Sequence, residues 1–439
     1  MTHDFESVTV DDIEAARDRL DDDSVVKHTP VERSTSLDEL TGAEVFLKME
    51  HLQWTGSFKT RGAYNKIAQF VADGESASGT GVETATATET ETETETETKT
   101  KTKTDRVVAA SAGNHAQGVA LAATKLGVDS TIVMPRTAPQ AKVDATRGYG
   151  ATVELVGTDF QDAMAHARDL VDETDAEFVH AYDDPAIVAG QGTLGLEMYE
   201  DVPSVDTIVV PIGGGGLISG IATAFSELSP ETRVVGVQAT GAATVPDSLQ
   251  KGAPIALESV DTIADGIATG GVSDLTLSLI EDHVDEVVTV TDGEIARAIL
   301  LLLERAKQVV EGAGAAAVAA IISDELDVEG ETVVALLGGG NLDMTMLQTV
   351  LVHALSDREQ LLRLRVRIDD RSGKMEEISG LIADHNANIQ TVRHDRSAPE
   401  LDVGEAHLDF QVETSGAGQA RAIIRSIRDH GYEVTHVNA

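Results

Sequence analysis

The feature that most constrains this chain is a regular alternation of short β-branched runs with longer amphipathic ones. Val107–Ala110, Thr131–Met134, Thr152–Val156, Thr207–Pro211, Val234–Ala239, Val287–Val290 and Val333–Leu337 read as strands. Among them, His115–Leu126, Gln161–Glu173, Gly190–Tyr199, Leu217–Leu228 and Gly293–Glu304 carry apolar residues at helical spacing. Strands this apolar must be covered on both faces, and interleaved helices supply that cover. The expectation is an α/β fold built on parallel sheets. In such sheets a ligand sits beyond the carboxyl ends of the strands, so the loops there carry the chemistry.

Composition narrows the function. The chain has 439 residues, enough for two or three domains, and 75 acidic against 33 basic side chains give a net charge of −42. Such a surface repels phosphate backbones and anionic lipid, which argues against nucleic acid or a membrane as partner. With 41% hydrophobic residues the body is folded, and the acidity reads as a solvated surface suited to a very salty cytoplasm. Cysteine is absent, which removes disulfides, iron–sulfur clusters, zinc–thiolate sites and a thiol nucleophile together. The amino terminus, MTHDFESVTVDDIEAARDRL, has no apolar signal core. The longest apolar runs, Ala298–Leu303 and Ala315–Ile322, fall short of the ~18 residues a membrane helix needs. A cytoplasmic protein is expected.

One segment stands apart. Residues 75–104 end in alternating Thr-Glu and Thr-Lys pairs, a strand-like period with no apolar face to bury, so a solvated insert is expected. Its seven Glu and three Lys contribute only −4 of the total charge. After Leu355 the pattern changes again. Leu362–Arg367, Asn388–Arg393, Ala406–Glu413 and Glu433–Val437 read as strands, with helices at Lys374–His385 and Gly416–His430. This βαββαβ order forms a second small domain, of a kind that more often binds than catalyses.

Four turns hold the candidate chemistry. In TGSFKTRGA, Lys59 stands beside Phe58 at the start of a helix; a lone lysine is ordinarily a surface charge, but enclosure would lower its pKa and let it attack a carbonyl. In SAGNHAQG, a helix opens after a strand, and Ser111, Asn114 and His115 add side-chain groups to free backbone N–H groups that suit a carboxylate. Read alone, this is also an ordinary capped helix start. In PIGGGGLISG, four glycines between a strand and a helix let backbone amides close on a phosphate. No Gly-Lys-Ser/Thr follows, so a Walker A loop is excluded, and the following strand ends in Gln238 rather than a ribose-binding acid, which leaves a dinucleotide weakly supported. Tight packing is the other reading of glycines, although four in succession exceed what packing requires. The last turn, LLGGGNLD, is weak alone.

A phosphate cradle, an enclosable lysine and a carboxylate site suit a cofactor with one phosphate and one aldehyde, pyridoxal 5'-phosphate. KMEHLQWTGSFKTRGA, SAGNHAQG, AGQGT, GGGGL and ADG resemble the fold-type II pyridoxal phosphate enzymes, and most closely the threonine (serine) ammonia-lyases. The resemblance runs from about Val26 to Leu355 and implies two parallel-sheet lobes of the tryptophan synthase β type, in a catalytic domain at 1–355. It implies that Lys59 bonds to the cofactor and then removes the substrate's α-proton. Phe58 would lie against the cofactor ring, Asn114 would bond its oxygen, and Gly213, Gly214, Gly215, Gly216 and Leu217 would hold the phosphate. Ser111 and His115 would hold the substrate carboxylate, with Gly266 and Glu311 near substrate and ring.

Two departures follow from the same comparison. The family motif Ser-Gly-Gly-Asn at the ring nitrogen has Gly338 in the serine position, before Gly339, Gly340 and Asn341. Serine racemases have a second serine where this chain has Ala112, which favours elimination over racemisation. An acidic metal ligand of racemase relatives falls on Gln238, with Ala242 and Thr244 nearby, and no metal is expected. The segment 362–439 resembles an ACT regulatory domain, with Gly373, Asn386 and Asn388 marking an amino-acid effector pocket between paired copies. The implied function is conversion of L-threonine to 2-oxobutanoate and ammonium, with L-serine a second substrate, in isoleucine biosynthesis or threonine catabolism, by a homo-oligomer. Serine racemase, hydroxyaspartate dehydratase and a catalytically silent amino-acid sensor are the alternatives.

Overall fold

The computed structural model describes residues 7–78 and 106–437. Contacts divide the chain into two units, Met1–Leu342 and Asp343–Ala439.

The first unit contains two sheets. Its larger sheet has six strands in the order Val31–Arg33, Glu44–Lys48, Thr332–Leu336, Thr207–Pro211, Arg233–Ala239, Glu286–Val290. Only the first pair is antiparallel; the rest run parallel. The smaller sheet is wholly parallel, in the order Thr152–Leu155, Asp129–Met134, Arg106–Ala110, Glu177–Phe178. The expected strands are all present, with three additions, one of them the two-residue strand Glu177–Phe178. Val31–Arg33 and Glu44–Lys48 have too many charged residues to read as strands, yet Lys48 is fully buried because carboxylates meet it inside.

Every residue of Thr207–Pro211 is buried, and Ile208 and Val210 join Ile218, Ile221, Phe225, Val334 and Leu336 in the core of the larger lobe. The helix Pro185–Asp201 is buried almost all round, so its sequence shows little amphipathic period. That is why only Gly190–Tyr199 of it is legible. Its missing first turn is fixed by the Asp184 carboxylate, which accepts from the backbone N–H groups of Ala186 and Ile187, with proline at the first helical position.

A solvated insert is expected from residue 75, but the helix Lys59–Ser78 runs through the first four of those positions; the rest of the Thr-Glu segment lies outside the described residues. Among the described residues, no helix is long and apolar enough to cross a membrane.

The second unit is a four-stranded antiparallel sheet in the order Asn388–Asp395, Glu405–Glu413, Leu361–Asp369, Glu433–His436. Leu362, Leu364, Val366 and Ile368 of the central strand alternate inward, where they meet Ile378 and Ile382 of helix Lys374–Ala383 and Ile423 and Ile427 of helix Ala417–Asp429. This is the βαββαβ order expected. The boundary differs: the helix Met344–Asp357 clusters with this unit, whereas the sequence reading kept it with the first, since nothing in its composition marks a break at 342.

Candidate active site

The carboxyl ends of Arg106–Ala110 in the smaller sheet and of Thr207–Pro211 and Thr332–Leu336 in the larger lead to one cavity of about 600 Å³, between the two lobes of the first unit. Phe58, Lys59, Ser111, Ala112, Asn114, His115, the four glycines from Gly213 to Gly216, Leu217, Gly266, Glu311 and Gly338 all line it. The structure thus brings together every residue the sequence assigned to cofactor and substrate.

Lys59 is the first residue of its helix, and its Nζ donates to the Ala181 carbonyl at 2.9 Å. Protein surrounds the amine except toward the cavity. Burial lowers its pKa to about 8, against the opposing pull of the Glu311 carboxylate. The backbone is held close: a Cβ on Gly118 would stand 2.9 Å from the Lys59 carbonyl carbon, so only glycine lets the helix Asn114–Leu126 approach there.

Outside the cavity lining, a buried charge network braces the same helix start. The Arg61 guanidinium donates to both Glu50 oxygens, at 3.0 and 2.9 Å, and to Glu197 at 2.7 Å. Lys48 joins from the other side, 2.7 Å from Glu197. Burial disfavours the charged forms, yet the partners prevail, holding Glu197 below and Arg61 above their ordinary ranges. Glu50 and Arg61 stand in the motif around Lys59, but the pairing of Arg61 with Glu197 is non-local and has no signal in the sequence.

The glycine loop leads from the strand Thr207–Pro211 into the helix Gly216–Leu228. Gly215 adopts φ +92°, a left-handed conformation that favours glycine, and a Cβ on Gly214 would collide with the Tyr182 ring at 2.2 Å. The loop therefore presents bare backbone at a helix N-terminus, where N–H groups lack helical partners. Tyr182, whose ring packs edge-on to His180 at 4.8 Å, is a cavity residue that sequence reading missed.

Ser111 Oγ accepts from the Gly113 N–H at 3.2 Å and keeps its own hydrogen to donate. His115 corrects an expectation. Its Nε2 lies 2.9 Å from the Val179 carbonyl, which can only accept, so Nε2 carries the proton. Burial, with help from the Lys59 charge, depresses the ring's pKa to about 3. A neutral ring with that proton committed leaves only the Nδ1 lone pair, which repels a carboxylate. What His115 offers an anion is its backbone N–H. The contact with Val179 crosses to another strand end, so no local pattern announces it.

Glu311 is buried, and burial raises its pKa against the Asn114 hydrogen bond. A Cβ on Gly338 would reach the Phe58 ring at 3.4 Å, an ordinary contact, so this position has room for a side chain although it carries none. Gln238 turns its amide inward, accepting from the N–H groups of Thr244 and Val245 at 3.0 and 2.9 Å. Among the described residues, no group of three or more His, Asp or Glu could hold a metal ion.

Residues 23–339 match the model of the pyridoxal-phosphate dependent enzymes. The chain belongs to this family. An L-threonine ammonia-lyase from Thermotoga maritima is 43% identical over 427 residues, 97% of this chain and 99% of that one. A catabolic L-threonine dehydratase from Staphylococcus aureus is 41% identical over 353 residues, 80% of this chain and 93% of that one. Among solved structures, a threonine deaminase from Solanum lycopersicum superposes with a TM-score of 0.67 at 33% identity, covering 79% of this chain and 89% of that one. Maize serine racemase gives 0.69 at 33% identity, covering 81% and 100%.

The family's cofactor, pyridoxal 5'-phosphate, fits the residues present. An enclosed amine of lowered pKa, a side-chain-free amide loop at a helix N-terminus and an aromatic face line one cavity of suitable size.

In the second unit, the three residues expected at an effector pocket do not converge within one copy. Gly373, at φ +90°, precedes the helix Lys374–Ala383, while Asn386, at φ +56°, follows it. Ten helical residues separate the two positions by ~15 Å. The Asn388 side chain is tied to Glu413 at 2.9 Å.

Proposed function

We propose that this chain catalyses the ammonia-lyase reaction on L-threonine, giving 2-oxobutanoate and ammonium, with L-serine reacting likewise to pyruvate. The observation that carries the reading is the enclosed Lys59 amine facing the bare glycine loop across one cavity, in a chain 43% identical to an L-threonine ammonia-lyase over nearly its whole length.

When bound, pyridoxal phosphate supplies the electron sink that stabilises charge left at the substrate's α-carbon. The protein does the rest. Lys59 is the residue that would hold the cofactor through its aldehyde, and its amine would take the substrate's α-proton. A pKa near 8 suits an amine that must be neutral part of the time near neutral pH. The amides of Gly213, Gly214, Gly215, Gly216 and Leu217 would hold the phosphate, and Phe58 would pack on the ring. Asn114, which donates to Glu311, would also bond the ring oxygen. The Ser111 hydroxyl and the first backbone amides of the helix Asn114–Leu126 hold the substrate carboxylate, beside Gly266. The Cα–H and Cβ–O bonds break, hydroxide leaving with a proton as water; water returns when the enamine, as its imine, hydrolyses to 2-oxobutanoate and ammonium.

Ala112 separates this reading from a racemase. It presents a methyl group to the cavity, which cannot move a proton at the face opposite Lys59. The test is a product assay in high salt with L-threonine and L-serine. 2-Oxobutanoate and pyruvate should form, with little D-serine; D-serine forming as fast as pyruvate would favour the racemase reading.

The unit from 343 to 439 is read as an ACT-type regulatory domain. Its βαββαβ order supports this, and the separation of Gly373 from Asn386 and Asn388 suits a pocket completed by a second copy. The reading therefore requires at least a dimer. Isoleucine as inhibitor and valine as its opponent rest on the family resemblance.

A further inference from the structure

Asn341 lies just after the glycine turn that closes the first unit, and its side-chain nitrogen meets two acceptors. Its Nδ2 donates to the Thr55 carbonyl at 2.7 Å and to Asn114 Oδ1 at 2.8 Å. A backbone carbonyl accepts and never donates, so the Thr55 contact fixes which end of the Asn341 amide is nitrogen. With both Asn341 hydrogens facing acceptors, the atom of Asn114 that meets it must be oxygen. The other end of Asn114 is then nitrogen, and this Nδ2 donates to Glu311 Oε1 at 2.7 Å.

Orientation thus passes without ambiguity from a main-chain carbonyl through two amides to the cavity wall. The backbone is shaped to admit it. Gly56 adopts φ +71°, and a Cβ there would stand 2.5 Å from Asn341 Oδ1. A Cβ on Gly339 would likewise meet Glu311 Oε1 at 2.3 Å and Asn114 Nδ2 at 3.1 Å.

We propose that Asn341 is a positioning residue: it locks the Asn114 amide so that its N–H group, and never its carbonyl, faces the cofactor. One Asn114 hydrogen goes to Glu311, and the other remains for an acceptor in the cavity, the ring oxygen. This rests on the reading that Asn114 contacts that oxygen. Without Asn341 only the Glu311 contact holds that orientation, and turnover of the amide would present oxygen to oxygen.

A double-mutant cycle tests this, with the affinity and the visible absorbance of bound pyridoxal phosphate as readouts. Asn114→Ala should weaken cofactor binding about tenfold, the worth of one good hydrogen bond, and shift the absorbance band. Asn341→Ala should act in the same direction. Asn341→Asp should be worse, because a carboxylate repels the Thr55 carbonyl and draws the Asn114 nitrogen toward itself. Adding Asn341→Ala to Asn114→Ala should change nothing further.

If Asn114→Ala alone leaves both readouts unmoved, the Asn114 contact and the relay both fall. If Asn114→Ala moves them and Asn341→Ala does not, or its effect persists undiminished in the double variant, the relay alone falls. Should the variants not fold, the wild-type holoenzyme with 15N-labelled asparagine still decides. Both side-chain amides should be protected from solvent exchange, and rapid exchange of Asn341 would overturn the proposal.

Discussion

At the residue scale, reactivity depends on a lysine that is charged in water and partly neutral in place. Only the neutral amine attacks a carbonyl. The rate at which cofactor-free protein captures pyridoxal phosphate should therefore rise with pH and level off just above 8, the value burial gives Lys59. A rate still climbing toward 10.5, the ordinary lysine value, would contradict the enclosure. The same depression affects stability. Between about pH 8 and 10.5 the unfolded chain binds the proton that the fold has lost, so the cofactor-free fold gains stability from this group as pH rises through that window. Which residues matter was legible where chemistry and chain neighbours coincide, as in TGSFKTRGA and the four glycines. The state of His115 was not, because Val179 lies 64 residues away. Tyr182 and the pairing of Asn341 with Asn114 stayed hidden for the same reason: Tyr182 packs on Gly214 and Asn341 bonds Asn114, each distant in the chain.

At the element scale, two helix starts and a glycine loop meet because their supports are specific. The helix bearing Lys59 is held by Arg61 between Glu50 and Glu197, all buried. Removing one member of such a network strands a buried charge, at a cost of ~3–5 kcal/mol. Glu197→Ala should lower the stability of the first unit by about that amount in thermal or denaturant unfolding. A loss below ~1 kcal/mol, the range of an exposed pair, would show that the network braces nothing. The parallel strands were legible because full burial leaves runs such as TIVV in the sequence. Glu44–Lys48 was not, since its buried Lys48 depends on Glu197 and Asp201 in a distant helix. Nor was the start of Pro185–Asp201, where burial on all sides erases the helical period.

At the scale of the whole molecule, the chain joins a unit that holds the chemistry to one that holds none of it. Every cavity residue lies before 342, and the second unit has its own core. Truncation after Leu342 should thus keep turnover of L-threonine and lose any response to amino-acid effectors. Allosteric coupling is typically ~1–3 kcal/mol, so the intact chain should show a several-fold shift in apparent substrate affinity. A truncated form that still responds to isoleucine would place the effector in the catalytic cavity and end the regulatory reading. The overall division was visible in the change of pattern after Leu355, but not the allegiance of Met344–Asp357, which is decided by packing.

The central claim is that the enclosed Lys59, and no other lysine, carries the cofactor. Borohydride reduction of the holoenzyme makes that bond permanent, and peptide mass mapping then locates it. The account predicts a single pyridoxyl group on the peptide containing TGSFKTRGA, at Lys59, which Lys59→Ala abolishes together with 2-oxobutanoate formation. A modification found on another lysine, or turnover that survives Lys59→Ala, would contradict it.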